Sequence, residues 1–264
     1  MKRFVSITFV LITFIITAFA QKVPVIGELK QVSQVPCIIP QRITGMAFDG
    51  EKFWFSVYLS KGHYATFDPK TEEWKYSGDE KQHRAIRQIS QPFNSSHGIV
   101  FVGKTLWLGG SYGESFGSIN TETWQVEKHF TQKIRPDLPG SQSYSSFAFD
   151  GTNIWAAWHG LAYSLPTSET QLLLKINPET GKVIEKYPLP AGSMPDSVHG
   201  LTFDGAKLWH IKDRKLSAID LNGQLTAQYE LKELGRPSGL AWDGNSLWIV
   251  EFNGKVWNLP FKTL

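Results

Sequence analysis

Two histidines stand at matching places in the chain. His97 precedes Gly98-Ile99 and His199 precedes Gly200-Leu201, each at the head of a recurring apolar phrase. Imidazoles titrate near neutral pH and suit proton transfer or metal ligation. His97, His199, Asp213 and Glu251 are therefore the candidate catalytic residues. His97 and His199, together with His159, His210, Asp196 and Arg214 and the aromatic residues Tyr112 and Trp158, form the candidate ligand-binding set. His97 and His199 with Asp196 or Asp213 would be the donors for a metal. No His-x-x-x-His or Asp-x-Asp-x-Asp-Gly spacing accompanies them, so no metal and no cofactor is expected. Hydrolase and nucleotide-binding classes are not expected either. The competing reading is that the histidines only bond backbone.

What positions these residues is a repeat. GMAFDGEKFW begins at 45, GIVFVGKTLW at 98, SFAFDGTNIW at 146, GLTFDGAKLW at 200 and GLAWDGNSLW at 239. A period of roughly 40 to 50 residues with short alternating strands, and no helical pattern between them, marks propeller blades. Each unit reads as a first strand, an Asp-Gly hairpin turn, a second strand around the Trp, as at Leu208-Trp209, a third strand, a turn such as Asn177-Pro178 or Asp220 to Gly223, and a fourth strand. The fifth unit stops after its third strand, while Gly27 to Val32 precedes the first and resembles Gly223-Gln224-Leu225 of the fourth. The expected fold is all-β, a five-bladed propeller of four-stranded antiparallel blades, its ring closed by an N-terminal strand that completes the last blade and removes open edges.

The repeat also removes false leads. Ten tryptophans suggest sugar binding, but Trp54, Trp107, Trp155, Trp209 and Trp248 recur at one position and read as core. Trp74, Trp124, Trp242 and Trp257 read as strand residues, leaving Trp158 in an irregular, accessible place. Asp49, Asp150, Asp204 and Asp243 read as turn residues; the second unit has Val102 there. Antiparallel order puts the Asp-Gly turns on one face. The longer connections, 77–97, 109–117, 135–145, 159–171 and 191–199, then share the other face with the channel-mouth positions Thr44, His97, Ser145, His199 and Pro237 or Ser238. Loops on a rigid scaffold carry function, so the histidine-bearing face is where a ligand is expected.

The phrases HGLTFDGAKLWHI and SGLAWDGNSLWIV, followed in kind by KINPETGKVIEKYPLP, resemble the repeats of secreted five-bladed propellers of the glutamine cyclotransferase type. The resemblance extends over residues 21–264, and streptogramin-lyase-like, lactonase-like and purely binding propellers share such phrases. It implies conversion of an N-terminal glutamine to pyroglutamate with release of ammonia, by acidic and polar groups at the channel mouth. The family's Glu-Gly-Trp-Gly-Leu phrase is replaced here by Ser197-Val198-His199-Gly200-Leu201, and its Asn-Glu-Leu-Glu phrase has no counterpart. Its catalytic residues are accordingly not carried over.

Lys2 and Arg3 before the apolar run Phe4 to Ile16, closed by Ala18-Phe19-Ala20, read as a signal peptide over residues 1–20, leaving a single propeller domain over 21–264 in the periplasm or the medium. The lone Cys37 excludes an internal disulfide. Lys2 and Arg3 supply two of the net +3 charges, so neither nucleic acid nor membrane insertion of the mature chain is expected. The expectation is a monomer whose partner is a small molecule, peptide or protein, with a cyclotransferase-like or lyase-like enzyme as the alternative.

Overall fold

The structure is a computed structural model that describes residues 25–36, 42–58, 64–77, 80–90, 96–110, 114–138, 142–160, 167–190 and 200–262. The leader-like residues, Cys37, Tyr112, Asp196 and His199 lie outside that set. Two short strands, β1 (Val25–Ile26) and β2 (Lys30–Gln34), come first. The first blade is β3 (Arg42–Phe48), β4 (Phe53–Tyr58), β5 (Tyr64–Asp68) and β6 (Glu73–Ser77). Helix α1 (Glu80–Ile89) leads to the second, β7 (Ser96–Val102), β8 (Thr105–Gly110), β9 (Ser115–Asn120) and β10 (Gln125–Thr131). The third is β11 (Gln142–Phe149), β12 (Ile154–Gly160), β13 (Gln171–Ile176) and β14 (Val183–Pro188), with the single turn α2 (Thr167–Thr170) before β13. The fourth is β15 (Gly200–Phe203), β16 (Leu208–Lys212), β17 (Lys215–Ile219) and β18 (Leu225–Glu230). The fifth is β19 (Pro237–Trp242), β20 (Ser246–Glu251) and β21 (Lys255–Lys262), completed by β1 and β2, which both pair antiparallel with β21.

The repeated phrase explains the blade. In Asp-Gly-x-x-x-Trp the Asp49 carboxylate accepts the Glu51 and Lys52 amides with Oδ1, at 2.8 and 2.7 Å, and the Trp54 indole N–H with Oδ2 at 2.6 Å. Asp150, Asp204 and Asp243 hold Trp155, Trp209 and Trp248 the same way, each at 2.7 Å. The glycine after each Asp has positive φ, 101° at Gly50, which a side chain would strain. One carboxylate thus sets the hairpin and aims the indole between blades. Trp155 and Trp209 are completely buried there, and truncating such a residue costs on the order of 3–5 kcal/mol.

Three sequence expectations change. A helix does occur between blades one and two. Its Ala85, Ile86 and Ile89 pack beneath it, Arg87 pairs with Glu80 at 2.7 Å, and Ser90 closes it by donating its amide and hydroxyl to the Ile86 carbonyl. Trp124 is not on a strand but in the turn before β10, at φ 55°. Trp158 is neither irregular nor accessible: it lies within β12, 1% exposed, packed with Leu138, Tyr144 and Phe147 between blades two and three.

Candidate functional site

The innermost strand of a blade carries a bulge at the end away from the Asp-Gly turn. Register jumps occur between Ile43 and Gly45, Ser96 and Ile99, Tyr144 and Ser146, and Pro237 and Gly239. The extra residues, Thr44, His97, Ser145 and Ser238, sit inside the first strand rather than before it, and the fifth-blade member is Ser238. Thr44, Ser145 and Ser238 turn their hydroxyls onto the second strand, donating to the carbonyls of Ser56, Ala157 and Val250 at 3.5, 3.1 and 3.2 Å. Beside the bulges the chains touch. A Cβ on Gly45 would lie 2.1 Å from the His97 carbonyl oxygen, and one on Gly98 2.3 Å from the Ser146 Cα. Glycine there allows neighbouring inner strands to close around the axis.

His97 substitutes a buried imidazole for the small hydroxyl, and it acts electrostatically on His159, which belongs to a polar seam between blades three and four. On β12, the side that carries Trp155 and Ala157 packs against Leu201 and Leu208 of the fourth blade. Two residues further along that side is His159, paired across strands with Ser143 and Gln171. On β16, Leu208 is followed on its own side by His210 and Lys212. Apolar packing thus gives way to His159, Gln171, His210 and Lys212, all buried. Lys212 Nζ donates to Gln171 Oε1 at 3.0 Å, and Ser145 Oγ lies 3.2 Å from His159 Nδ1.

Burial holds the His159 imidazole far below its ordinary range, to about 3, with His97 and the Lys212 ammonium adding to the effect. Burial and then Lys212 do the same to His210, again to about 3. Both rings are therefore neutral at physiological pH, and weak as bases. What the seam offers is one ammonium among neutral donors and acceptors, suited to orienting a polar molecule.

The remaining candidates divide. Asp213 and Arg214 form the two-residue β16–β17 turn with φ of 51° and 74°, the mirror-type geometry that suits hairpin twist, and both are exposed beside Lys212. Glu251 is buried and structural: its Oε1 accepts the Gly235 amide at 2.9 Å and the Trp257 indole at 3.0 Å. Trp158 is core. Among the described residues no three His, Cys, Asp or Glu side chains are grouped to hold a metal, and no helix is long and apolar enough to cross a membrane.

Two spellings in the second blade match fingerprints of chemistry, and their setting removes both. Gly98 to Thr105 reads as a phosphate loop, but it is a strand, a Gly103-Lys104 turn and a strand, without the helix whose N-terminus would meet a phosphate. Gly113-Glu114-Ser115-Phe116-Gly117 reads as a nucleophile elbow, yet Ser115 opens β9 and its hydroxyl lies 3.1 Å from Thr131 Oγ1.

Lys212 and Gln171 were not among the candidates. Lys212 stands three residues after its blade's Trp, where the other blades have Val57, Gly110, Trp158 and Glu251. Aligning the units at that interior position exposes it as the one lysine.

No protein-family model matches the chain, and no curated protein is similar to it in sequence. Solved structures share its fold. Glutaminyl cyclase from Myxococcus xanthus superposes with a TM-score of 0.59 at 10% identity, over 89% of this chain and 97% of that one. A streptogramin B lyase gives 0.47 at 13% identity, over 89% and 98%. The similarity is one of β-propeller architecture, and the count of five blades comes from this chain's own sheets.

Proposed function

We propose that this protein is an exported binding propeller that takes a small polar molecule with an anionic or hydrogen-bond-accepting group on its histidine-bearing face, in the seam between blades three and four. The observation that supports it most is the buried Lys212–Gln171 pair beside His159, His210 and Ser145, in an interface otherwise packed with apolar side chains. Charged and polar groups are expensive to bury, and function is a common reason to retain them. Asp213 and Arg214 stand at the same end. Export rests on the leader-like residues 1–20, and N-terminal sequencing of the protein recovered from outside the cytoplasm tests it.

The enzyme reading, cyclisation of an N-terminal glutaminyl peptide, draws on the fold shared with a glutaminyl cyclase. Neutral, weakly basic His159 and His210 speak for orienting groups over general bases, which leaves His97 and His199 as the bases that reading needs.

The test is a thermal-shift titration of residues 21–264 with small carboxylates, glutaminyl peptides and sugars, alongside an ammonia-release assay. Stabilisation by carboxylates or peptides that is lost in Lys212→Met supports the proposal. Ammonia release abolished by His97→Ala or His199→Ala would move it to the enzyme reading. Stabilisation unchanged in Lys212→Met would sink the seam as the site.

A further inference from the structure

The second blade breaks the repeat where the other four agree. Val102 occupies the place of the Asp that caps the indole, and no hydrogen bond to the Trp107 N–H is formed among the described residues, whereas Trp54, Trp155, Trp209 and Trp248 each have one. Trp107 pairs across strands with Ser118, which pairs with Lys128, so the three form one row over β8, β9 and β10. Ser118 is 1% exposed, and its hydroxyl has no hydrogen-bond partner among the described residues. This row lines a cavity of about 500 Å³ on the Asp-Gly face, between blades two and three, with Phe149 and Pro178 opposite.

From this geometry we propose a second binding site, for a neutral polyhydroxylated molecule such as a sugar. The volume suits one or two rings. Val102, Phe149 and Pro178 provide an apolar wall. The indole N–H needs an acceptor, and Ser118 can donate or accept. The cavity's charges decide against an ion. Lys128 is 2.8 Å from Glu179 and 3.0 Å from the Pro178 carbonyl, and Glu127 accepts from Thr105 and Asn120 at 3.1 and 3.2 Å. Two carboxylates against one ammonium oppose an anion, and a cation leaves the indole N–H unmet. Hydroxyls satisfy both kinds of group, donating to Glu127 and Glu179 and accepting from Trp107 and Ser118. The site lies on the opposite face from the polar seam and stands independently of it.

The experiment follows the indole N–H resonances of the ¹⁵N-labelled protein, with Trp107 assigned by its loss in Trp107→Phe, while glucose, maltose, sodium acetate and tetramethylammonium are added. Glucose or maltose is expected to move the Trp107 resonance, with the apparent Kd raised about tenfold, one hydrogen bond's worth, in Ser118→Ala. Val102→Asp restores the missing carboxylate and is expected to raise Tm while abolishing the sugar response. The proposal is overturned if neither sugar moves that resonance up to about 100 mM, well above millimolar affinity, if acetate or tetramethylammonium moves it instead, or if Val102→Asp binds as well as the parent.

Discussion

Lys212 Nζ donates to Gln171 Oε1 at 3.0 Å across the seam between the third and fourth blades. Both side chains are buried, so the pair carries its desolvation cost internally. Lys212→Met removes a buried charge but takes the donor away from Gln171 Oε1, a loss of about 1–3 kcal/mol for a buried polar group. The substitution should accordingly lower unfolding free energy by no more than ~3 kcal/mol, while ligand affinity at this face falls about tenfold or more. Urea denaturation and titration of the same variant check the two halves. A loss of stability above that range with affinity intact would make the lysine structural.

His159 and His210 give the seam a pH dependence of known sign. In the folded chain burial keeps both near 3, with Lys212 acting on each and His97 on His159, against an ordinary 6.5. The unfolded chain binds protons below 6.5 that the folded one refuses. Stability is complete above that value and declines as pH falls toward 3, by up to ~1.4 kcal/mol per unit for each histidine. Tm measured from pH 7.5 to 4.5 should fall, and the slope should flatten in a His159→Asn, His210→Asn variant. An equal slope in that variant would assign the effect to other groups.

The fold was legible because its signal is local and repeated. Asp-Gly and the Trp five residues after the Asp lie within one hairpin, and a single carboxylate links them, so the spacing survives in four units. The seam was only half legible. His97 and His159 stood out by type, whereas Gln171 and Lys212 belong to different blades and meet only when those blades pack. Trp158 was misplaced because its neighbours His159 and Gly160 look like loop residues, yet both belong to the strand. Helix α1 was hidden because Gln82 and His83 occupy part of its buried side, leaving few apolar residues at helical spacing.

The indole caps should rank by blade. Asp204→Ala removes acceptors for the Ala206 and Lys207 amides and the Trp209 indole, and should cost ~2–3 kcal/mol. Val102→Ala, at the same position in a blade with no cap, should cost ~1 kcal/mol or less from lost packing. Equal costs in chemical denaturation would show that the carboxylate adds nothing beyond side-chain bulk.

Ring closure rests on a noncontiguous blade. β2 pairs with β21 through Lys30↔Asn258 and Gln34↔Lys255, and beyond it β1 continues with Val25↔Lys262. Trp74 Nε1 of the first blade donates to Ser33 Oγ at 3.2 Å, so the N-terminal strand also ties the fifth blade to the first. A chain begun at residue 36 would leave β21 as an open edge beside half-buried Trp257. It should lose at least ~3 kcal/mol by the apolar area uncovered, equivalent to roughly 10 °C in Tm, and should self-associate through the free edge. Differential scanning calorimetry and sedimentation read the two effects separately. Adding a peptide of residues 21–36 in trans should restore both, because the segment contributes through noncovalent contacts, strand pairing, the Trp74–Ser33 hydrogen bond and burial of Val35; failure of that rescue would mean that covalent continuity with β3 is what closes the ring.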